Sequence, residues 1–160
     1  MCSSDLPTNL YGESDNFDLE LSHVVPGLIA KAHAAKRNGD AYMEVWGSGK
    51  PRREFLYVDD AADAMVHLMQ YYSGEAHVNV GTGADVTIAE LAELISTVVG
   101  FDGGVRYVAD RPDGTPVKRL DVTRLMELGW TAKTDLRDGI ERTYAWYAAQ
   151  FPATALAGDG

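Results

Sequence analysis

Apolar residues along this 160-residue chain alternate between helical and extended spacing. Val25, Leu28, Ile29 and Ala32 share one face of a helix expected over residues 22–37, with Ser22 as its cap and Pro26 confined to the first turn. AYMEVWG and EFLYV read as short strands. After EFLYV, Asp59 or Asp60 is expected to cap a helix whose inward face is Ala61, Met65 and Met69, with Ala62 and Val66 alongside. HVNVG is a β-branched strand ended by a GTG turn. DVTIAELAELISTVVG carries a capping box, Thr87 with Glu90, an apolar stripe of Ile88, Leu91, Ile95 and Val98, and a stop at Gly100. VRYV predicts a strand, RPDGTP a turn, DVTRLMELG a short helix closed by Gly129, and TDLRDGIERTYAWYAAQFP a last helix with Leu136, Ile140, Tyr144 and Tyr147 inward. Strands and helices alternate, which favours an α/β fold. Neither glycine pair, GSG nor GTG, opens a complete dinucleotide fingerprint.

Composition narrows the function classes. With 46% hydrophobic and 24% charged residues the chain is globular. A net charge of -10 argues against a general nucleic-acid binder. No apolar run is long enough to span a membrane, so no membrane partner is expected. A single cysteine, Cys2, offers no disulfide framework and no metal cluster, so no metal is expected and the compartment is taken as cytoplasmic.

Against that acidic background, Lys50, Arg52 and Arg53 gather beside the glycines of WGSGK. Arginine forks suit phosphate oxygens, and a glycine turn lets backbone N–H groups approach the same anion. A solvated basic loop is the alternative. Lys118 lies beside a second turn and could complete a diphosphate clamp if the fold set it next to Arg53. His23 stands where a helix begins, a position that disfavours an added proton and suits acid–base chemistry. Packing against the preceding loop would explain it equally. His33, His67 and His77 read as structural or surface residues, and Trp46, Trp130 and Trp146 as core or wall residues.

In order, PTNLYG, DNFDLELSHVVP, VWGSGKPRREFLYVDDAADA, HVNVGTG, PDGTPVKRLDVTRL and TYAWY resemble the C-terminal half of the GDP-L-fucose synthase family, extended short-chain dehydrogenase/reductases, over residues 7–151. The resemblance implies the C-terminal part of a Rossmann-like NAD(P)-binding enzyme, mostly its smaller substrate-binding domain. It implies NADPH as cofactor and a GDP-sugar substrate, GDP-4-dehydro-6-deoxy-D-mannose, taken to GDP-L-fucose by 3,5-epimerisation and 4-reduction. It makes His23 the general acid, assigns Arg53, Lys118, Lys31 and Trp46 to the substrate, and places Asn9, Leu10 and His23 at the cofactor. A homodimer is implied for the full-length enzyme.

The chain departs from the family in several places. It contains no glycine-rich nucleotide loop and no Tyr-x-x-x-Lys, and the family's NLYGP reads NLYGE, which puts Glu13 where proline is usual. Cys2, in MCSSDL, does not match the family's catalytic cysteine. Residues 1–6 are expected to be a non-native scar and 152–160 a flexible tail. The chain alone is expected to be inactive in hydride transfer and only marginally stable, because the strand near Asn9 would lose its neighbours. Another nucleotide-sugar epimerase or dehydratase, or a non-catalytic nucleotide-sugar binding module, remain open as alternatives.

Overall fold

The computed structural model describes residues 6–108 and 113–152. The expected scar, apart from Leu6, and all of the expected tail but Pro152 fall outside them, as do Cys2 and the start of the RPDGTP turn. The described chain runs β1 (Leu6–Pro7), β2 (Asn9–Tyr11), α1 (Val24–Asn38), β3 (Tyr42–Trp46), β4 (Arg52–Arg53), β5 (Phe55–Tyr57) and α2 (Val58–Tyr71), then β6 (Asn79–Val80), β7 (Val86–Thr87), α3 (Ile88–Val99), β8 (Gly104–Val108), β9 (Val117–Lys118), α4 (Thr123–Glu127) and α5 (Leu136–Gln150). It is the expected α/β alternation.

Three two-stranded sheets are parallel, β1 with β6, β2 with β5 and β3 with β8. Parallel pairs need crossovers, and the connection from β2 to β5 carries α1 while that from β3 to β8 carries α2 and α3. The fourth sheet sets β4 between antiparallel β7 and parallel β9. Strand β2, expected to stand without neighbours, keeps β5 as its partner. Helices α1, α3 and α5 close over one core built on Ile29, Ala32, Leu91, Ile95 and Ile140. A second cluster sets Ala61, Ala64 and Leu68 of α2 against Leu56, Val78, Val80, Leu125 and Trp130.

The helix starts correct three expectations. Helix α1 begins one residue later than expected, with His23 rather than Ser22 as its N-cap and no side-chain capping bond. Helix α2 is preceded by Tyr57, so neither Asp59 nor Asp60 is its cap; both lie in the first turn. Asp60 is buried, and its Oδ2 accepts from the backbone N–H groups of Lys133 and Thr134 at 2.9 and 2.8 Å. That carboxylate fastens the approach to α5 instead. The inward face of α2 is also rotated from the expected one: Ala61, Ala64 and Leu68 are buried, whereas Met65, Val66 and Met69 face outward. Small side chains let this helix lie close to its strands, and the larger methionines fit only on the far side. The capping box of α3 forms as expected, with Glu90 N–H donating to Thr87 Oγ1 at 3.0 Å and Thr87 N–H to Glu90 Oε2 at 2.7 Å.

Candidate functional site

The approach to His23 is built from short polar side chains. Asp18 Oδ1 accepts from the N–H groups of Glu20 and Leu21 at 2.9 and 2.8 Å, and Asn16 Oδ1 accepts from Asp18 N–H at 3.0 Å. Those backbone donors hold the Asp18 carboxyl below its ordinary pKa. Phe17 packs on Tyr147 and Trp146 of α5, with centroids 4.6 and 5.9 Å apart. The loop is thus pinned at both ends, and His23 emerges exposed at the start of α1.

His23 borders two cavities. One, of about 520 Å³, is walled by Asn9, Leu10, Tyr11, Glu13 and Val58. The other, of about 100 Å³, lies against Lys31, Trp46, Leu28 and Ile88. The Lys31 ammonium sits 3.9 Å from the Trp46 ring centroid, within cation–π range. Four expected site residues, Asn9, Leu10, Lys31 and Trp46, therefore line the two cavities that a fifth, His23, borders. Asn9 is partly committed already, since its amide donates to the Glu54 carbonyl at 2.7 Å.

The cations beside WGSGK divide differently from the expectation. Gly47 and Gly49 take φ of 82° and 75°, conformations that suit glycine. The turn they make does not leave its amides free for an anion, because Ser48 donates its N–H and its hydroxyl to Asp113 at 2.6 and 2.7 Å. These donors lower the Asp113 pKa, the Ser48 hydroxyl most and the Ser48 N–H next. Arg52 is tied to Asp85 at 2.6 Å. Arg53, on the opposite face of β4, donates Nη1 to the carbonyls of Arg52 and Thr115 at 2.8 and 2.6 Å and pairs with no carboxylate among the described residues. Lys118 is its register partner on β9. The fold thus sets two cations side by side that lie far apart in sequence. Arg53 borders a cavity of about 320 Å³ with Phe55, Thr82, Val86, Thr134 and Leu136. It does not border the cavities of His23.

Two carboxylates matter beyond the expected site residues. Glu54, in REFLYV, is fully buried. Its Oε1 accepts from the N–H groups of Thr82 and Gly83 at 2.6 and 2.7 Å, and its Oε2 from Leu120 N–H at 2.7 Å. A Cβ at Gly81 would collide with it. A lone acid inside an apolar extended run was the available signal. Glu13 borders the larger His23 cavity, and its Oε2 accepts the Tyr57 hydroxyl at 2.6 Å. Burial chiefly, and then that bond, push the Tyr57 pKa up to about 12, so the phenol stays a donor.

Comparison with known proteins bears out the resemblance drawn from the motifs. Residues 6–81 match the NAD dependent epimerase/dehydratase family. The chain is 56% identical over 144 residues to "GDP-L-fucose synthase 1" of Arabidopsis thaliana, covering 90% of this chain and 45% of that protein. It is 48% identical over 153 residues to the GDP-L-fucose synthase of Escherichia coli K12, covering 90% and 48%. Its fold matches a Naegleria fowleri GDP-L-fucose synthetase bound to NADP with a TM-score of 0.88 at 32% identity, over 93% of this chain and 47% of that one. The chain spans about half the length of the curated relatives it matches.

Proposed function

From this likeness to epimerases and reductases of nucleotide sugars, we propose that the chain is the substrate-binding part of a GDP-L-fucose synthase. The enzyme would convert GDP-4-dehydro-6-deoxy-D-mannose to GDP-L-fucose. The observation that carries the reading is the β4–β9 register, which sets Lys118 beside an Arg53 guanidinium with no carboxylate partner among the described residues. Two cations adjacent in register, one of them on a cavity wall that also carries Asp135, suit a diphosphate. In this reading Lys31 and Trp46, beside His23, face the sugar.

Epimerisation removes a proton from the carbon next to a ketone and returns one to the opposite face. His23, exposed between two cavities, is the proton donor in this scheme. Its place at the start of α1 fixes its backbone, since its carbonyl accepts from Gly27 N–H at 3.0 Å. The Asp18 turn sets the direction of approach.

NADPH, when bound, supplies hydride to the C4 ketone. Among the described residues the cavity of Asn9, Leu10 and His23 has no lysine or arginine on its wall, so its donor set fits the uncharged nicotinamide end of that cofactor rather than its phosphates. Asn9, Leu10 and His23 would hold that end. The resemblance also implies a homodimer for the full-length enzyme, to be read by light scattering.

The discriminating experiment is calorimetric titration of the chain with GDP and with UDP. Tighter binding of GDP is the expected result. Preference for UDP would move the assignment to another nucleotide-sugar enzyme of the same family, and binding of neither would overturn it.

A further inference from the structure

The two candidate regions differ in sign. At one, the cations Arg53 and Lys118 outnumber the Asp135 carboxylate, whereas the larger His23 cavity carries the Glu13 and Asp15 carboxylates and, among the described residues, no lysine or arginine. A phosphate would be repelled there, and a hydrogen-bond donor would be held.

Glu13 is the better placed of the two carboxylates. Tyr57 is buried at the start of α2, lies edge-on to Tyr11 with centroids 5.8 Å apart, and has the Arg142 guanidinium 5.6 Å from its ring centroid. Its hydroxyl fixes Oε2 of Glu13, while Oε1 accepts no hydrogen bond among the described residues. One oxygen anchored by a buried phenol and the other unspent, on a cavity wall, is an arrangement for accepting a donor from a guest. Carboxylates commonly take that part toward sugar hydroxyls.

We infer that Glu13 is a specificity-determining residue of the His23 cavity, whose carboxylate, held by Tyr57, accepts a hydrogen bond from a sugar hydroxyl of the bound ligand. This rests on the proposed function, in which that hydroxyl belongs either to the hexose of the GDP-sugar or to a ribose of the cofactor.

The test uses the full chain, its Glu13→Gln variant and three probes: GDP, GDP-mannose and NADP. Glutamine can still accept the Tyr57 hydroxyl, so the anchor and the melting temperature should hold while the charge and one acceptor are lost. Glu13→Gln should leave GDP affinity unchanged and weaken one other probe by about tenfold or more. A loss with GDP-mannose places the hydroxyl on the hexose, and a loss with NADP places it on the cofactor. A Tyr57→Phe variant, which frees the carboxylate but keeps its charge, should show a smaller loss on the same probe. If Glu13→Gln binds GDP-mannose and NADP as the parent does, the inference fails while the proposed function stands. If Tyr57→Phe lowers the melting temperature and weakens all three probes alike, Glu13 is only a loop anchor and the inference fails. A parent chain that does not bind GDP overturns the proposed function itself.

Discussion

Arg53 and Glu54 are neighbours in sequence and opposites in surroundings. Glu54 points into the protein, where backbone N–H groups of Thr82, Gly83 and Leu120 satisfy both carboxylate oxygens. Arg53 points to a cavity rim, where carbonyl oxygens hold one nitrogen and no carboxylate among the described residues pairs with it. Arg53 ends β4, and Glu54, in the step between β4 and β5, turns inward. The glutamate organises loops that the arginine then uses: its donors sit in the GTG turn and just after β9, the strand that carries Lys118. One charge serves the fold, and in the proposed function the other meets a ligand.

The strongest way to break this contrast is Glu54→Ala. It leaves three partly buried N–H groups without their acceptor, at a cost of about 3 kcal/mol. Melting followed by circular dichroism should show a fall of about 10 °C. An unchanged melt would mean that the turn holds itself.

His33 sharpens the contrast from the other side, as a buried polar group that is not fully satisfied. Its Nδ1 lies 3.3 Å from the Tyr144 hydroxyl, and its Nε2 has no hydrogen-bond partner among the described residues. Burial chiefly lowers its pKa, the neighbouring Arg37 and Lys36 charges add to that, and the Phe151 backbone opposes it. Folding therefore favours the neutral ring. Stability is expected to fall as pH drops below the ordinary histidine value of about 6.5, where the unfolded chain takes up the proton. Melts between about pH 7 and about pH 5 should show a steeper decline for the parent than for His33→Leu. Parallel curves would show that His33 carries no such penalty.

The smallest effect is expected from Arg52→Ala. Its pair with Asp85 is partly exposed, and exposed ion pairs contribute little. The melt should move far less than for Glu54→Ala, and GDP affinity should not move at all. A loss of GDP affinity as large as that from Arg53→Ala would erase the distinction between the two arginines.

What could be read in the sequence was what lies close along the chain. The α3 capping box spans three residues, and its pattern declared itself. The stripe of Leu91 and Ile95 lies buried as expected. The inward face of α2 differs from the expected one because Met65 and Met69 continue an i, i+4, i+8 spacing from Ala61, whereas the buried Ala64 and Leu68 follow it at i+3 and i+7. Asp60 and Glu54 escaped for another reason. Their partners lie 73 and 74 positions away for Asp60, and 28 to 66 positions away for Glu54. No local pattern encodes such pairings. Arg53 and Lys118 could be picked individually by their residue type and flanking turns, but their adjacency is a property of the β4–β9 register.

The central claim is that Arg53 holds a nucleotide diphosphate, and calorimetric titration of GDP into the chain and its Arg53→Ala variant tests it most directly. The account predicts a loss of about 1.5–3 kcal/mol in binding free energy, about ten- to a hundredfold in affinity, with the melting temperature unchanged. Equal affinity for the two proteins would contradict it.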